Sequence, residues 1–282
     1  MKVKKRTIGA IAVVAMAVAL AGSVYADDGG VFLGNANPAD NLWMTDGNWQ
    51  FGLPTPAVTA YVTETWTSSI NGPIIQSGDA AVAGNVTIGL QGWTVNPGNL
   101  APMTMNGGTL DVAGAISIGQ NGETVVDEVP GILYLNGGTL TTGAHLIIGQ
   151  GSSGTVDQSG GIANVDTLGI DWFGVLEADE IGTYNLRGGE LNVGVGGFHM
   201  WTHGLVDIEA GVMTIMGDID GTIGAHIAAN KILGYGGSET VLHDFNITTP
   251  GKTTVWAIPE PATLGLLGMG SLGLLAMRRF RI

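Results

Sequence analysis

The side chains of this chain that are suited to chemistry are few and mostly carboxylic. Asp171, Glu177, Asp179 and Glu180 fall in one short acidic segment, and clustered carboxylates are the hard oxygen ligands that calcium takes. Their spacing lacks the alternation of a dedicated calcium loop, and the segment 171–182 reads as a lateral loop that interrupts the pattern. Asp218 and Asp220, in Gly217-Asp218-Ile219-Asp220-Gly221 with Asp207 and Glu209 nearby, form a second calcium candidate. They also alternate with Ile208 and Ile219 as outward residues of a strand do. His199 and His203 would share a face of an extended segment and offer imidazole nitrogens to a metal, although Phe198, Met200 and Trp201 around them suit packing. No catalytic set, no cofactor and no firm metal site is assigned, and these carboxylates are weak calcium candidates.

Stepping outward from those residues, charge narrows the partners. The chain carries 10 basic and 24 acidic residues, but most of the basic ones lie at the two ends. Between residues 27 and 257 only Arg187, Lys231 and Lys252 are basic. Such an acidic body repels nucleic acid and anionic lipid headgroups, so no nucleic-acid partner is expected. Cysteine is absent, which leaves backbone pairing and packing to hold the fold.

The elements that must position these groups come from a repeat. Glycine, at 48 residues, is periodic. Asn106-Gly107-Gly108-Thr109-Leu110 leads to Ile116-Ser117-Ile118-Gly119-Gln120, and about 30 residues later Asn136-Gly137-Gly138-Thr139-Leu140 leads to Leu146-Ile147-Ile148-Gly149-Gln150. Weaker copies start at Ser77-Gly78, Gly160-Gly161, Gly188-Gly189 and Ala210-Gly211. Apolar residues alternate with polar ones inside each copy, as in Leu110, Val112, Ile116 and Ile118, which is the period of strands with one buried face. One copy cannot bury its own inner face, whereas stacked copies can, with Ile88, Ile118 and Ile148 in one inner ladder. The expected fold is therefore all-β: a right-handed parallel β-solenoid of about six coils, with a β-sandwich of hairpins as the alternative. The layout reads as a signal peptide over 1–26, an N-terminal cap over 27–73, glycine-rich repeats over 74–222, a C-terminal cap over 223–257 and a tail over 258–282. Trp43, Trp49, Trp66 and Trp93 read as exposed aromatics that close the first coils or stack on sugars.

Both ends look like addresses. Lys2, Lys4, Lys5 and Arg6 precede an apolar run from Ile8 to Leu20, and Val24 and Ala26 flank Tyr25. This is the layout of a secretory signal helix cleaved after Ala26. At the other end Pro259-Glu260-Pro261 precedes an apolar run from Leu264 to Met277 and then Arg278, Arg279 and Arg281. The prolines keep the motif extended, and the arginines hold a short membrane-sorting helix with its end in the cytoplasm. This tail resembles the PEP-CTERM sorting signal, and the repeats resemble the glycine-rich repeat of autotransporter and PEP-CTERM proteins. The resemblance implies secretion, transient insertion in the inner membrane, processing by an exosortase, and residence in the cell envelope or extracellular matrix.

Function then reads as a structural or adhesive surface protein, not an enzyme, with extracellular polysaccharide as a partner. Carbohydrate binding is the alternative. A polysaccharide lyase or glycosidase comes third, because three basic residues supply few candidate bases and no acidic pair is flanked by an aromatic platform. The alternation carries a direct test of register. Ile118→Asp puts a charge in the core, whereas Ser117→Asp points outward. In thermal melts the first variant is expected to lose several kcal/mol relative to the second, and equal midpoints would reject the register.

Overall fold

The computed structural model describes residues 29–32, 41–50, 52–63, 72–90, 100–120, 129–172 and 181–258. The signal segment with Ala26, the tail residues Pro259, Glu260, Pro261, Arg278, Arg279 and Arg281, and Trp66 and Trp93 lie outside them. The chain is predominantly β. Its strands are β1 (Gly29–Val31), β2 (Thr59–Thr63), β3 (Ile74–Ile75), β4 (Ala80–Ala83), β5 (Asn85–Leu90), β6 (Ala101–Val112), β7 (Ile116–Gln120) and β8 (Gly131–Gln150). There follow β9 (Gly154–Gln158), β10 (Ile162–Ile170), β11 (Gly182–Leu186), β12 (Glu190–Met200), β13 (Gly204–Ile208) and β14 (Val212–Met216). The one α-helix among the described residues, α1 (Asp220–Ala228), precedes β15 (Ile232–Gly234), β16 (Thr240–Phe245) and β17 (Lys252–Ile258). All the strands join one large hydrogen-bonded sheet that does not close on itself.

Most of the pairing is parallel and joins each strand to its equivalent in the next copy. The inner residues consequently stack on like residues. Val86, Ile116, Leu146, Leu168 and Phe198 are successive partners, as are Ile88, Ile118, Ile148, Ile170 and Met200. A second ladder runs through Leu110, Leu140, Ala163, Leu191 and Met213. A third runs through Met103, Leu133, Val156, Tyr184 and Val206. These residues are buried. The spacing between Ile148 and Ile170 is shorter because only Gly151, Ser152 and Ser153 separate β8 from β9, and the β8–β10 register shifts once, between Val165 and Thr167.

The corners need glycine for two reasons at once. Gly138 has φ 82°, in the left-handed region, and a Cβ there would meet the Gly108 carbonyl oxygen at 2.5 Å. Left-handed geometry and close stacking of corner on corner both exclude a side chain.

The ladder starts earlier than the repeat does. β1 pairs in parallel with β2, and β2 with β5, so Ala60 and Val62 already stack on Val86 and Ile88. Before them, Trp43 and Trp49 are buried, not exposed, with their rings edge to face at 4.7 Å and Phe32 edge-on to Trp49 at 5.2 Å. Trp49 Nε1 donates to the Trp43 carbonyl at 2.8 Å. At the far end the direction of pairing reverses. β17 runs antiparallel to both β14 and β16, setting Val255 opposite Met213. Helix α1 interrupts the β pattern there and buries Ile223.

One polar pair sits inside the apolar ladders. Tyr184 is fully buried, and its hydroxyl donates to Gln158 Oε1 at 2.5 Å. Burial pushes the phenol pKa far above the ordinary tyrosine range. Gln158 Nε2 donates to the Gly161 and Glu190 carbonyls at 3.2 and 3.1 Å, so each polar atom of both side chains is satisfied. Removing one partner orphans the other, at a cost of about 1–3 kcal/mol. In urea titrations Tyr184→Phe and Gln158→Leu are each expected to destabilise, and the double variant to lose less than their sum. Strict additivity would show that the pair is not coupled.

Candidate functional site

The densest group of chemistry-bearing side chains among the described residues lies on the outer side of the ladder through Ile118 and Ile148. Outward positions there are Ser117, Ile147, Gly169 and His199, partners in register from β7 to β12. Gly169 leaves a gap in that row, and Trp172 fills it: a Cβ at Gly169 would lie 1.7 Å from Trp172 Cε3. The Trp172 ring lies 5.5 Å from His145, 5.8 Å from His199 and 5.3 Å from Trp201 between centroids. His199 and Trp201 are 5.8 Å apart. Two indoles and two imidazoles thus gather across three copies.

The backbone beneath them is held by polar groups. Lys231 Nζ donates to the Trp201 carbonyl at 2.6 Å. Asp171 is buried with φ 54°, and its Oδ2 accepts the His203 backbone N–H at 2.8 Å. His203 Nδ1 stands 3.8 Å from the same oxygen. Asp171 therefore ties the end of β10 to the turn before β13. His226 packs edge-on to Phe198 at 5.9 Å, and its pKa is lowered first by burial and then by the charge of Lys231.

Several residues that the sequence groups together are spread apart. His199 belongs to the ring cluster, with Nε2 3.3 Å from the Gly196 carbonyl, whereas His203 sits beside Asp171. Asp218 Oδ1 accepts the Asp220 N–H at 3.3 Å, and Asp220 Oδ1 lies 2.6 Å from His243 Nδ1, which joins α1 to β16. Both oxygens of Asp207 accept the Gly236 N–H, and Glu209 pairs with Arg187, which also reaches Asp157 at 2.9 Å. Among the described residues no three His, Asp or Glu side chains are arranged to hold a metal. Glu177, Asp179 and Glu180 lie outside the described residues. The ring cluster itself is not evident from sequence. Its one signal is Gly169 standing where earlier copies carry Ser117 and Ile147, with Trp172 three residues on.

The folded body runs up to the tail. β17 ends at Ile258, which pairs with Thr240, and Ala257 is buried. From there the model for the PEP-CTERM protein-sorting motif matches residues 257–279. The chain carries a PEP-CTERM sorting motif. It is thus an exported protein with a C-terminal sorting signal, and the motif implies processing by an exosortase. No curated protein and no solved structure matches the chain. Among the described residues no helix is long and apolar enough to cross a membrane.

The gap at Gly169 gives a test of the cluster. Gly169→Ala must push the Trp172 ring off the strand, because the added carbon falls inside it. A changed tryptophan emission spectrum and lost near-ultraviolet ellipticity are expected. Gly221→Ala, in α1 where a Cβ meets nothing within 4 Å, serves as the control and should leave both signals alone. Unchanged spectra for Gly169→Ala would put Trp172 elsewhere.

Proposed function

We propose that the body between the two sorting segments is a right-handed parallel β-solenoid and serves as a non-catalytic structural or adhesive element of the cell envelope or matrix. Exosortase removes the tail after transient insertion in the inner membrane, and the body stays outside. The observation that carries this reading is the in-register stacking of like residues from β5 to β13, capped at one end by an aromatic cluster and at the other by an antiparallel pair. An acidic stack of paired strands suits a scaffold or spacer. Its surplus of carboxylates fits bridging through calcium to extracellular polysaccharide.

Carbohydrate binding is the second reading, and the gathering of Trp172, Trp201, His145 and His199 favours it. Indole faces pack on sugar rings, and imidazole nitrogens pair with hydroxyls. That chemistry needs no base or nucleophile. The two readings separate on chelation: calcium bridging is lost with chelator, whereas ring stacking is lost in Trp201→Ala and survives chelator.

The exported protein from its own cells tests both processing and turnover. Intact mass should show a product lacking the residues after Pro259-Glu260-Pro261, and Glu260→Ala should keep the protein in the inner membrane. That product should release no unsaturated or reducing sugar from acidic or neutral polysaccharide, with or without calcium. A product still ending at Ile282 would reject the processing. Turnover abolished by changing one carboxylate would reject the non-enzyme reading.

A further inference from the structure

Two tripeptides in the chain have the Asn-x-Thr pattern of an N-glycosylation acceptor: Asn85-Val86-Thr87 and Asn246-Ile247-Thr248. In an exported protein that pattern has chemical meaning only where the asparagine reaches solvent on a loop. The fold treats the two in opposite ways.

Asn85 lies in β5, which is paired along both edges, with β2 and β7. Its Nδ2 points to Thr59 Oγ1 at 3.4 Å, and its Oδ1 accepts the Ala115 N–H at 2.9 Å. Val86 and Thr87 are buried, and the Thr87 hydroxyl lies 3.4 Å from Gln120 Oε1. Presenting this tripeptide to an enzyme would mean opening the central ladder.

Asn246-Ile247-Thr248 instead begins the tip that joins β16 to β17. All three residues are exposed, and Ile247, although apolar, is 82% exposed. Asn246 has φ 63°, and its Oδ1 accepts the Gly251 N–H at 2.8 Å. That bond occupies the oxygen of the carboxamide and leaves Nδ2 without a hydrogen-bond partner among the described residues. Among the described residues Thr248 is held by Asp244, through its N–H at 3.0 Å and its hydroxyl at 2.6 Å. Both bonds are exposed, and the tip is tied to the body further on, where Thr249 Oγ1 accepts from the buried Thr254 hydroxyl at 3.2 Å and the Gly251 carbonyl accepts the Gly217 N–H at 2.9 Å.

We propose that Asn246 is a glycan acceptor, modified at Nδ2 when the protein is exported. The donor class is an oligosaccharide linked to a polyprenyl diphosphate. Nδ2 forms the bond to the anomeric carbon as the bond from that carbon to the diphosphate oxygen breaks. The lipid diphosphate leaves with the electron pair, and the Nδ2 proton passes to a base of the transferase. Thr248 supplies the hydroxyl that the transferase reads once Asp244 lets it go. The site also leaves the sorting motif clear. β17 is seven residues long and runs from Lys252 beside the tip to Ile258, which at strand rise is about 20 Å.

The test is peptide mass spectrometry on the exported protein purified from its own cells. A glycan mass is expected on the peptide carrying Asn246 and none on the peptide carrying Asn85. Asn246→Asp, which keeps an oxygen for the Gly251 N–H, and Thr248→Ala should each abolish the modification. Thr248→Ser should retain it, and the melting midpoint of Asn246→Asp should show that the fold survives. An Asn246 peptide of unmodified mass overturns the proposal, as does a glycan that persists in Thr248→Ala or one found on Asn85.

Discussion

Everything in this structure depends on parallel, in-register hydrogen bonding between each strand and its equivalent in the next copy. A strand of a stacked copy cannot satisfy its backbone groups within its own copy, since its neighbours in sequence turn away at the corners; β16 and β17 depart from this by pairing with each other. Its partners are one copy back and one copy on. Register is then set by which side chains can lie side by side in the core, and a slip of one residue would turn Ile116 and Ile118 outward. Glycine at the corners follows from the same stacking, because Gly138 must pass within contact distance of the Gly108 backbone. So do the specialised ends, since an unpaired parallel edge invites further strands. Trp43 and Trp49 close one end, and β16 with β17 closes the other.

With the inner faces committed to packing, the outer faces are free to differ between copies. Some positions carry amide and hydroxyl ladders that repeat the stacking: Asn136 Nδ2 donates to Asn106 Oδ1, and Ser159 Oγ to Asn136 Oδ1. Asn164, Asn192 and Thr214 form another. The ladder through Ser117 instead loses its side chain at Gly169 and gains an indole laid across the vacancy. The inner faces are not perfect either. Thr142 takes a place between Val112 and Val165, and its buried hydroxyl has no partner among the described residues, an arrangement that costs about 1–3 kcal/mol relative to a satisfied group.

Sequence alone revealed the strands wherever alternation and the Gly-Gly corner coincide. The inner pairs from Val86 and Ile88 through Phe198 and Met200 were legible because burial on one face forces an apolar residue at every second position. β1 and β2 were not, since no Gly-Gly corner announces them and Gly29-Gly30-Val31 is too short to show a period. Helix α1 is short and carries Gly221 and Gly224, so its apolar spacing is too brief to register as helical. The burial of Trp43 and Trp49 escaped notice because a large aromatic looks the same in sequence whether it caps a core or stacks on a ligand. The ring cluster escaped for a related reason: His145, Trp172, His199 and Trp201 are brought together by stacking of copies, not by proximity along the chain. The sorting motif was legible because its chemistry is local, with prolines, an apolar run and terminal arginines in fixed order.

The register itself is open to a direct measurement, made simple by the absence of native cysteine. Asp111 and Thr141 are partners across β6 and β8 on the outer face. Their Cα atoms, one strand spacing apart at about 4.8 Å, are within disulfide reach. Thr139 is displaced from Asp111 by two residues along the strand, which puts that pair about 8 Å apart and beyond reach. Oxidation of the variant carrying Asp111→Cys with Thr141→Cys should give a rapid intramolecular crosslink, and the variant carrying Asp111→Cys with Thr139→Cys should give none. Equal crosslinking of both pairs, or preference for the second, would contradict the in-register parallel stack.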